Sequence, residues 1–357
     1  MKPRSEPASA SLPASAKIDD VQVLRACAIL MVVSYHAKIL HPYLPEFFHH
    51  GFTGVYLFFV ISGFVITRSS LLMLPAPPMQ FAAAFLLKRF FRIIPPATFW
   101  LLAYYVAFRL VNVDLSDEIW NIATLRYNYL MQSSKTLWLG HYWSLLVEEH
   151  FYFGFVLLFP LLISRRLIIP AGGGVMLLAI QYFRPYAGDA GHMTHALLDF
   201  FVAGMLIACL ASSVQVATPR WLLTILSTAS IVAIFGLFSI RGLPFSGYTL
   251  CMMLAATCVA IGATNQNVIL PVPILRSLLI WIGERSYSIY LAQSLVIYAD
   301  YWFGQNTRWM GCPTTLRIAV LLGVIFVAGH ASYALIETPF DHLRRRLQVH
   351  VRHLFQA

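Results

Sequence analysis

Ten apolar runs, each about long enough to cross a bilayer, leave this chain few ways to fold. They fall near 21–40, 53–74, 93–112, 142–163, 167–183, 193–212, 221–240, 246–263, 278–299 and 315–336. A hydrocarbon core takes about twenty residues of helix, and a helix satisfies its own backbone in lipid. The expected class is therefore all-α, a polytopic membrane protein of about ten transmembrane helices. The 357 residues are 59% hydrophobic and 11% charged, which leaves no length for a large soluble domain. Residues 1–17 are rich in Ser, Ala and Pro and read as a disordered segment, 18–340 as the transmembrane unit and 341–357 as a basic tail. The first sixteen residues carry no apolar core, so the first span itself is expected to be the targeting signal.

The net charge of +10 is distributed as the positive-inside rule requires rather than as a nucleic-acid surface, and no nucleic-acid partner is expected. One side of the expected topology receives Lys2, Arg4, Lys17, Arg68, Lys88, Arg89, Arg92, Arg165, Arg166, Arg220, Arg276, Arg344, Arg345, Arg346 and Arg352. The other receives Arg126, Lys135, Arg184, Arg241 and Arg308, with Lys38 near its edge. An even number of spans then places both termini in the cytoplasm.

The first run, VQVLRACAILMVVSYHA, holds Arg25 and His36 eleven residues apart. That separation is close to three helical turns, so both side chains leave one face, about 16 Å apart along the axis. Ionisable groups within a span are costly and mark function by default, although snorkelling to opposite edges would also account for them. In the fourth run His141, Ser144, Glu148 and Tyr152 share one helical face, with Glu149 one residue off it. Two adjacent carboxylates in a span are hard to explain as structure.

Between the second and third runs, FAAAFLLKRFFRIIPP gathers Lys88, Arg89 and Arg92 among phenylalanines. This segment is expected to lie along the membrane surface, either anchoring to headgroups or clamping an anionic ligand. Gly51, Gly54, Ser62 and Gly63 thin the second run, for close helix packing or for a ligand's approach. The loop 113–139 mixes Asp114, Asp117, Glu118, Trp120, Tyr127, Tyr129 and Trp138, which suits sugar rings and equally an interfacial belt. His41, His49 and His50, and farther on His192, His195 and Asp199, lack a ligand cage, and no metal is expected.

Four pieces in this order resemble the membrane-bound acyltransferase-3 family, which O-acylates sugars of bacterial surface polysaccharides, lipopolysaccharides and related glycans. They are the Arg25/His36 pair, GVYLFFVISGF at 54–64, RFFR with Arg89 and Arg92, and WSLLVEEHFYF at 143–153. GERSYSIYL and the terminal ETPF add to them, and the resemblance covers Ile18 to Arg346. One departure stands out: the family often has a His after SYxxYL where this chain has Gln293.

The resemblance implies a protein of the bacterial inner membrane, in contact with membrane lipids. It would move an acyl group, acetyl in the leading case, from cytoplasmic acetyl-CoA to a hydroxyl of a cell-surface glycan or lipid-linked oligosaccharide. On that footing Arg89 and Arg92, with Lys88, hold the donor's phosphates, and its arm passes Arg25. His36 acts as general base or as acyl carrier. Glu148, or else Glu149, orients His36 or the acceptor, and Tyr152 donates to the developing oxyanion. A transporter or flippase for a lipid-linked saccharide is the alternative, with the charged residues lining its pathway.

Overall fold

A computed structural model describes residues 17–41, 44–73, 77–131, 137–163, 168–183, 192–211, 218–236 and 244–354. The expected disorder of residues 1–16 lies outside the described residues, as do Lys135, Arg165, Arg166, Arg184 and Arg241 of the charge pattern. The described residues are helical, with no strand among them. The long helices are α1 (Asp19–Leu40), α2 (Gly54–Leu71), α3 (Pro78–Leu110), and then, after short α4 (Ser116–Ala123) and α5 (Tyr127–Leu130), α6 (Tyr142–Ile163). There follow α7 (Ile168–Phe183), α8 (Thr194–Leu210), α9 (Arg220–Gly236), α10 (Pro244–Ala263), α11 (Pro273–Glu284), α12 (Ser286–Asn306), α13 (Thr314–Ser332) and α14 (Thr338–Leu354). The described parts of the apolar runs are mainly helical, the ninth as two helices. Among the described residues four stretches are long and apolar enough to cross a membrane: Asp19–Leu40, Glu46–Leu71, Pro78–Leu110 and Thr314–Leu347.

α1 is the hub. The 3-10 segment Glu46–Thr53, α2, α10, α11 and α12 all pack on it. Its start is pinned by fully buried Asp20, which pairs with Arg276 at 2.7 Å and accepts from the Val268 and Ile269 amides at 3.3 Å. A buried carboxylate is tolerable there because its oxygens are bonded and its charge is matched.

α2 and α8 touch backbone to backbone. A methyl group on Gly63 would collide with the Phe201 carbonyl, and one on Gly204 with the Val60 carbonyl. The glycines therefore serve close helix packing, the usual device where lipid offers no hydrophobic drive to pair helices.

Two elements differ from the sequence-based expectation. The basic segment does not lie apart along a surface, because Pro78–Leu110 is one helix of 33 residues that runs through Pro95 and Pro96. The prolines leave the Phe91 and Arg92 carbonyls without their usual donors, and on either side of the prolines neighbouring helices tie the backbone down: Tyr287 donates to the Ile93 carbonyl at 2.9 Å and Tyr142 to that of Ala97 at 3.1 Å. The expected ninth run is broken at Arg285, which ends α11 and precedes α12. The Arg285 guanidinium is stacked on Trp281 and Tyr333, 4.3 and 4.8 Å from the ring centres, and donates to the Trp281 carbonyl and His330 Nδ1.

Candidate active site

The break at Arg285 brings Ser286 to the start of α12, where Arg25 finds it. Arg25 Nη2 and Nε donate to Ser286 Oγ at 2.9 and 3.2 Å, so the guanidinium is docked inward rather than snorkelling along the helix. Around it α1, α2, α3, α6 and α12 enclose a cavity of about 90 Å³. The stripe read on the fourth run supplies one wall: Ser144, Glu148 and Tyr152 all line this cavity, and Glu149 is not among its lining residues. Helical periodicity alone produces this division, since a residue one step along the helix points about 100° away.

Glu148 is held from two sides. Ser62 of α2 donates to its Oε1 at 2.6 Å, and the Tyr152 hydroxyl donates to the same oxygen. The Tyr152 ring in turn supports the Arg89 guanidinium at 5.1 Å, with Phe85 at 5.5 Å as its second aromatic neighbour. Arg89 is 6% exposed and its Nε has no partner among the described residues. Arg25, Arg89 and Arg92 thus line the cavity against the single carboxylate of Glu148, a balance that favours an anionic or strongly polarised guest.

A second, wider cavity of about 670 Å³ shares Arg25, Val65 and Arg92 with the first, so the two adjoin at those side chains. Its cations are Lys17, Arg25, Arg68, Lys88, Arg92 and Arg345, against Glu284, Glu337 and Asp341. The three basic residues of the α3 segment are therefore divided. Lys88 faces the wide cavity, Arg89 the narrow one, and Arg92 both. The tail residue Arg345 belongs to this wall, which no local pattern in a basic tail could announce.

His36 lies beyond the narrow cavity. Half-buried, it turns inward to Gln293, whose amide is 3.1 Å from Nδ1, and to the Val32 carbonyl, also at 3.1 Å. Its ring meets that of His141 edge-on at 6.3 Å. Of the two roles read for Glu148, orienting His36 is not seen: its bonded oxygen is taken by Ser62 and Tyr152, and the side chain at the ring is Gln293. The cavity and the imidazoles nevertheless share a wall. Ser144 and Tyr290 line the cavity; Ser144 donates to the Tyr290 hydroxyl at 2.6 Å, and Tyr290 donates to the His141 carbonyl. On α6 and α12 the next residue of the cavity-lining stripe belongs to this outer group, His141 and Gln293, and on α1 His36 lies about three turns beyond Arg25 on the same face.

The sequence reading gives no role to His141, Gln293, Ser286, Tyr287 or Tyr290. The spacing Ser286, Tyr290, Gln293 on one helical face is the available signal. The other histidines go separate ways: His41 pairs with Asp300 at 3.1 Å, His49 packs on Tyr35, and His195 stacks on Tyr129.

Residues 18–335 match the family described as an acyltransferase domain. A Staphylococcus aureus (strain COL) protein named "Putative O-acetyltransferase" is 26% identical over 353 residues, covering 89% of this chain and 56% of that protein. The chain thus spans about half the length of such relatives. "Exopolysaccharide production protein ExoZ" of Rhizobium meliloti (strain 1021) is 30% identical over 318 residues, covering 83% of this chain and 92% of ExoZ. "Putative membrane-bound transacylase BcsY" of Komagataeibacter xylinus is 33% identical over 171 residues, covering 43% of this chain and 40% of BcsY. No solved structure matches. With the match running from the residue before α1 through the stretch that follows α13, and so across every helix that lines the two cavities except α14, the chain belongs to the acyltransferase-3 family.

Proposed function

We propose that this protein is an integral-membrane O-acyltransferase, which moves an acetyl group from cytoplasmic acetyl-CoA to a hydroxyl of a cell-surface or lipid-linked glycan. The observation that carries the reading is the pair of adjoining cavities, wide and rich in cations at one end, narrow and arginine-lined at the other. A bulky polyanion on a slim, flexible arm fits that shape. Both termini are taken to be cytoplasmic, which puts the wide cavity on the donor's side.

In this reading Lys88 and Arg92 bind the nucleotide's phosphates, and the arm runs inward past Arg25. Arg89, fixed between its aromatic neighbours, faces the thioester end of the arm. The carbonyl reaches the layer of Ser144 and Tyr290, and the acceptor hydroxyl enters from the side of His36. The hydroxyl oxygen attacks the thioester carbonyl carbon as His36 Nε2 takes its proton. The carbon–sulfur bond breaks, and the proton passes from the imidazole to the departing thiolate. Glu148, held by Ser62 and by the Tyr152 hydroxyl, positions the acceptor from the cavity wall, and the Arg89 guanidinium stabilises the charge that develops on the carbonyl oxygen.

The test is direct. Purified protein is given acetyl-CoA with de-O-acetylated surface polysaccharide from the producing cells, and free thiol is followed. Acceptor-dependent thiol release supports the reading. No release, with saccharide carried across vesicles instead, would replace it with the transporter reading.

A further inference from the structure

His36 Nδ1 lies 3.1 Å from the Val32 carbonyl oxygen and 3.1 Å from the Gln293 side-chain amide. A backbone carbonyl can only accept, so a ring nitrogen at that distance must carry the proton; lone pair facing lone pair would repel. The amide has no such constraint. A half-turn exchanges its oxygen and nitrogen without changing its shape, and their placement follows from the bonding around them. As placed, the nitrogen faces the ring and Gln293 Oε1 is buried with no partner among the described residues; the half-turn puts the nitrogen there instead, so the proton on the ring decides the orientation. With Nδ1 protonated, the amide oxygen is the atom that belongs against the ring.

We infer that Gln293 is a positioning residue that accepts from His36 Nδ1 and holds the imidazole in the tautomer whose Nε2 lone pair is free for proton abstraction. This rests on the proposed role of His36. The ring is held by a carbonyl of its own helix and an amide from α12, so both the tautomer and the tilt are set before any acceptor arrives. A neutral amide orients without adding charge. A carboxylate in its place would also stabilise the imidazolium.

The surroundings leave this assignment to Gln293. The titratable groups facing His36 are His141 from α6, at ring-centre distance 6.3 Å, and Tyr35 of its own helix at 5.2 Å. From the 3-10 segment His49 packs on Tyr35 and Glu46 pairs with Lys38, while Asp300 of α12 pairs with His41. The charged groups of α2 and α11 sit at the opposite end of α1: Arg68 lines the wide cavity, Glu284 bonds Lys17 and Arg276 bonds Asp20. α10 has no charged residue.

The experiment measures kcat and donor KM against pH for the membrane-reconstituted protein, with acetyl-CoA and de-O-acetylated polysaccharide as substrates. Gln293→Glu is expected to stay active with its acid limb moved up by about one pH unit, because the imidazolium is stabilised. Gln293→Met, nearly the same shape, is expected to lose about tenfold or more in kcat at unchanged donor KM. Wild-type kcat in Gln293→Met, or an unshifted limb in an active Gln293→Glu, would overturn the inference. His36→Ala separates the two levels. If it is inactive while the Gln293 variants behave as wild type, the positioning role alone falls; if it stays active, the functional reading falls and takes this inference with it.

Discussion

The Ser62 hydroxyl donates to Glu148 Oε1 across 2.6 Å and so ties α2 to α6 at the wall of the narrow cavity. With the Tyr152 hydroxyl on the same oxygen, this carboxylate cannot rotate freely. Glu148→Gln keeps the shape and loses the charge. We expect it to lower kcat about 10²-fold or more, as removal of an electrostatic group at a reacting centre does. Glu149→Gln should stay within a few-fold of wild type, since Glu149 is not among the cavity's lining residues. Thiol release from acetyl-CoA distinguishes them, and equal losses would show that the division between the two carboxylates is wrong.

His36→Ala should abolish transfer while leaving insertion and thermal stability near wild type. The half-buried ring bonds the Val32 carbonyl and the Gln293 amide, and its removal leaves the helix backbone in place. Surface glycans from cells carrying the variant, read by mass spectrometry, should lack the acetyl increment.

The division of the basic segment predicts two phenotypes from neighbouring residues. Lys88→Ala and Arg92→Ala should each raise donor KM, by about tenfold for every phosphate deprived of its cation. Arg89→Ala should lower kcat, because Arg89 faces the narrow cavity. Arg89→Lys should not restore it, since an ammonium cannot reproduce a planar group held beside Phe85 and Tyr152. Full kinetics on the three alanine variants test this.

Gly63→Leu and Gly204→Leu should each destabilise the protein by about 1–3 kcal/mol or more, the usual range for overpacking. The added atoms meet a backbone carbonyl of the facing helix, which cannot turn aside as a side chain can. Thermal unfolding in detergent should show a lower midpoint for both.

The helices are legible in the chain because a span is a local property: about twenty apolar residues suffice to mark one. The stripe of Ser144, Glu148 and Tyr152 is legible for the same reason, as is the shared face of Arg25 and His36, whereas their turn inward rather than outward is not. What the sequence hides depends on other helices. Pro95 and Pro96 look like a break until Tyr287 and Tyr142 are seen to brace the carbonyls beside them. Arg285 looks like part of a continuous span until Trp281 and Tyr333 are seen to hold it. The sequence reading offers Glu148 or Glu149 to orient either His36 or the acceptor, and only the approach of α12 shows that the side chain beside the His36 ring is an amide. Arg345, far along the basic tail, reaches the wide cavity because α14 packs back on α3.

The narrow chamber also sets a ruler. At about 90 Å³ it is smaller than the void of about 150 Å³ that admits a benzene ring. If the proposed reaction seats its acyl group there, two carbons and their oxygen suit the space, whereas a long fatty tail would have to push aside Phe58, Phe59 and Tyr152. A ladder of donors from acetyl through hexanoyl to palmitoyl should therefore end in a sharp cut-off, with the gauge set by aromatic side chains rather than by any charged group.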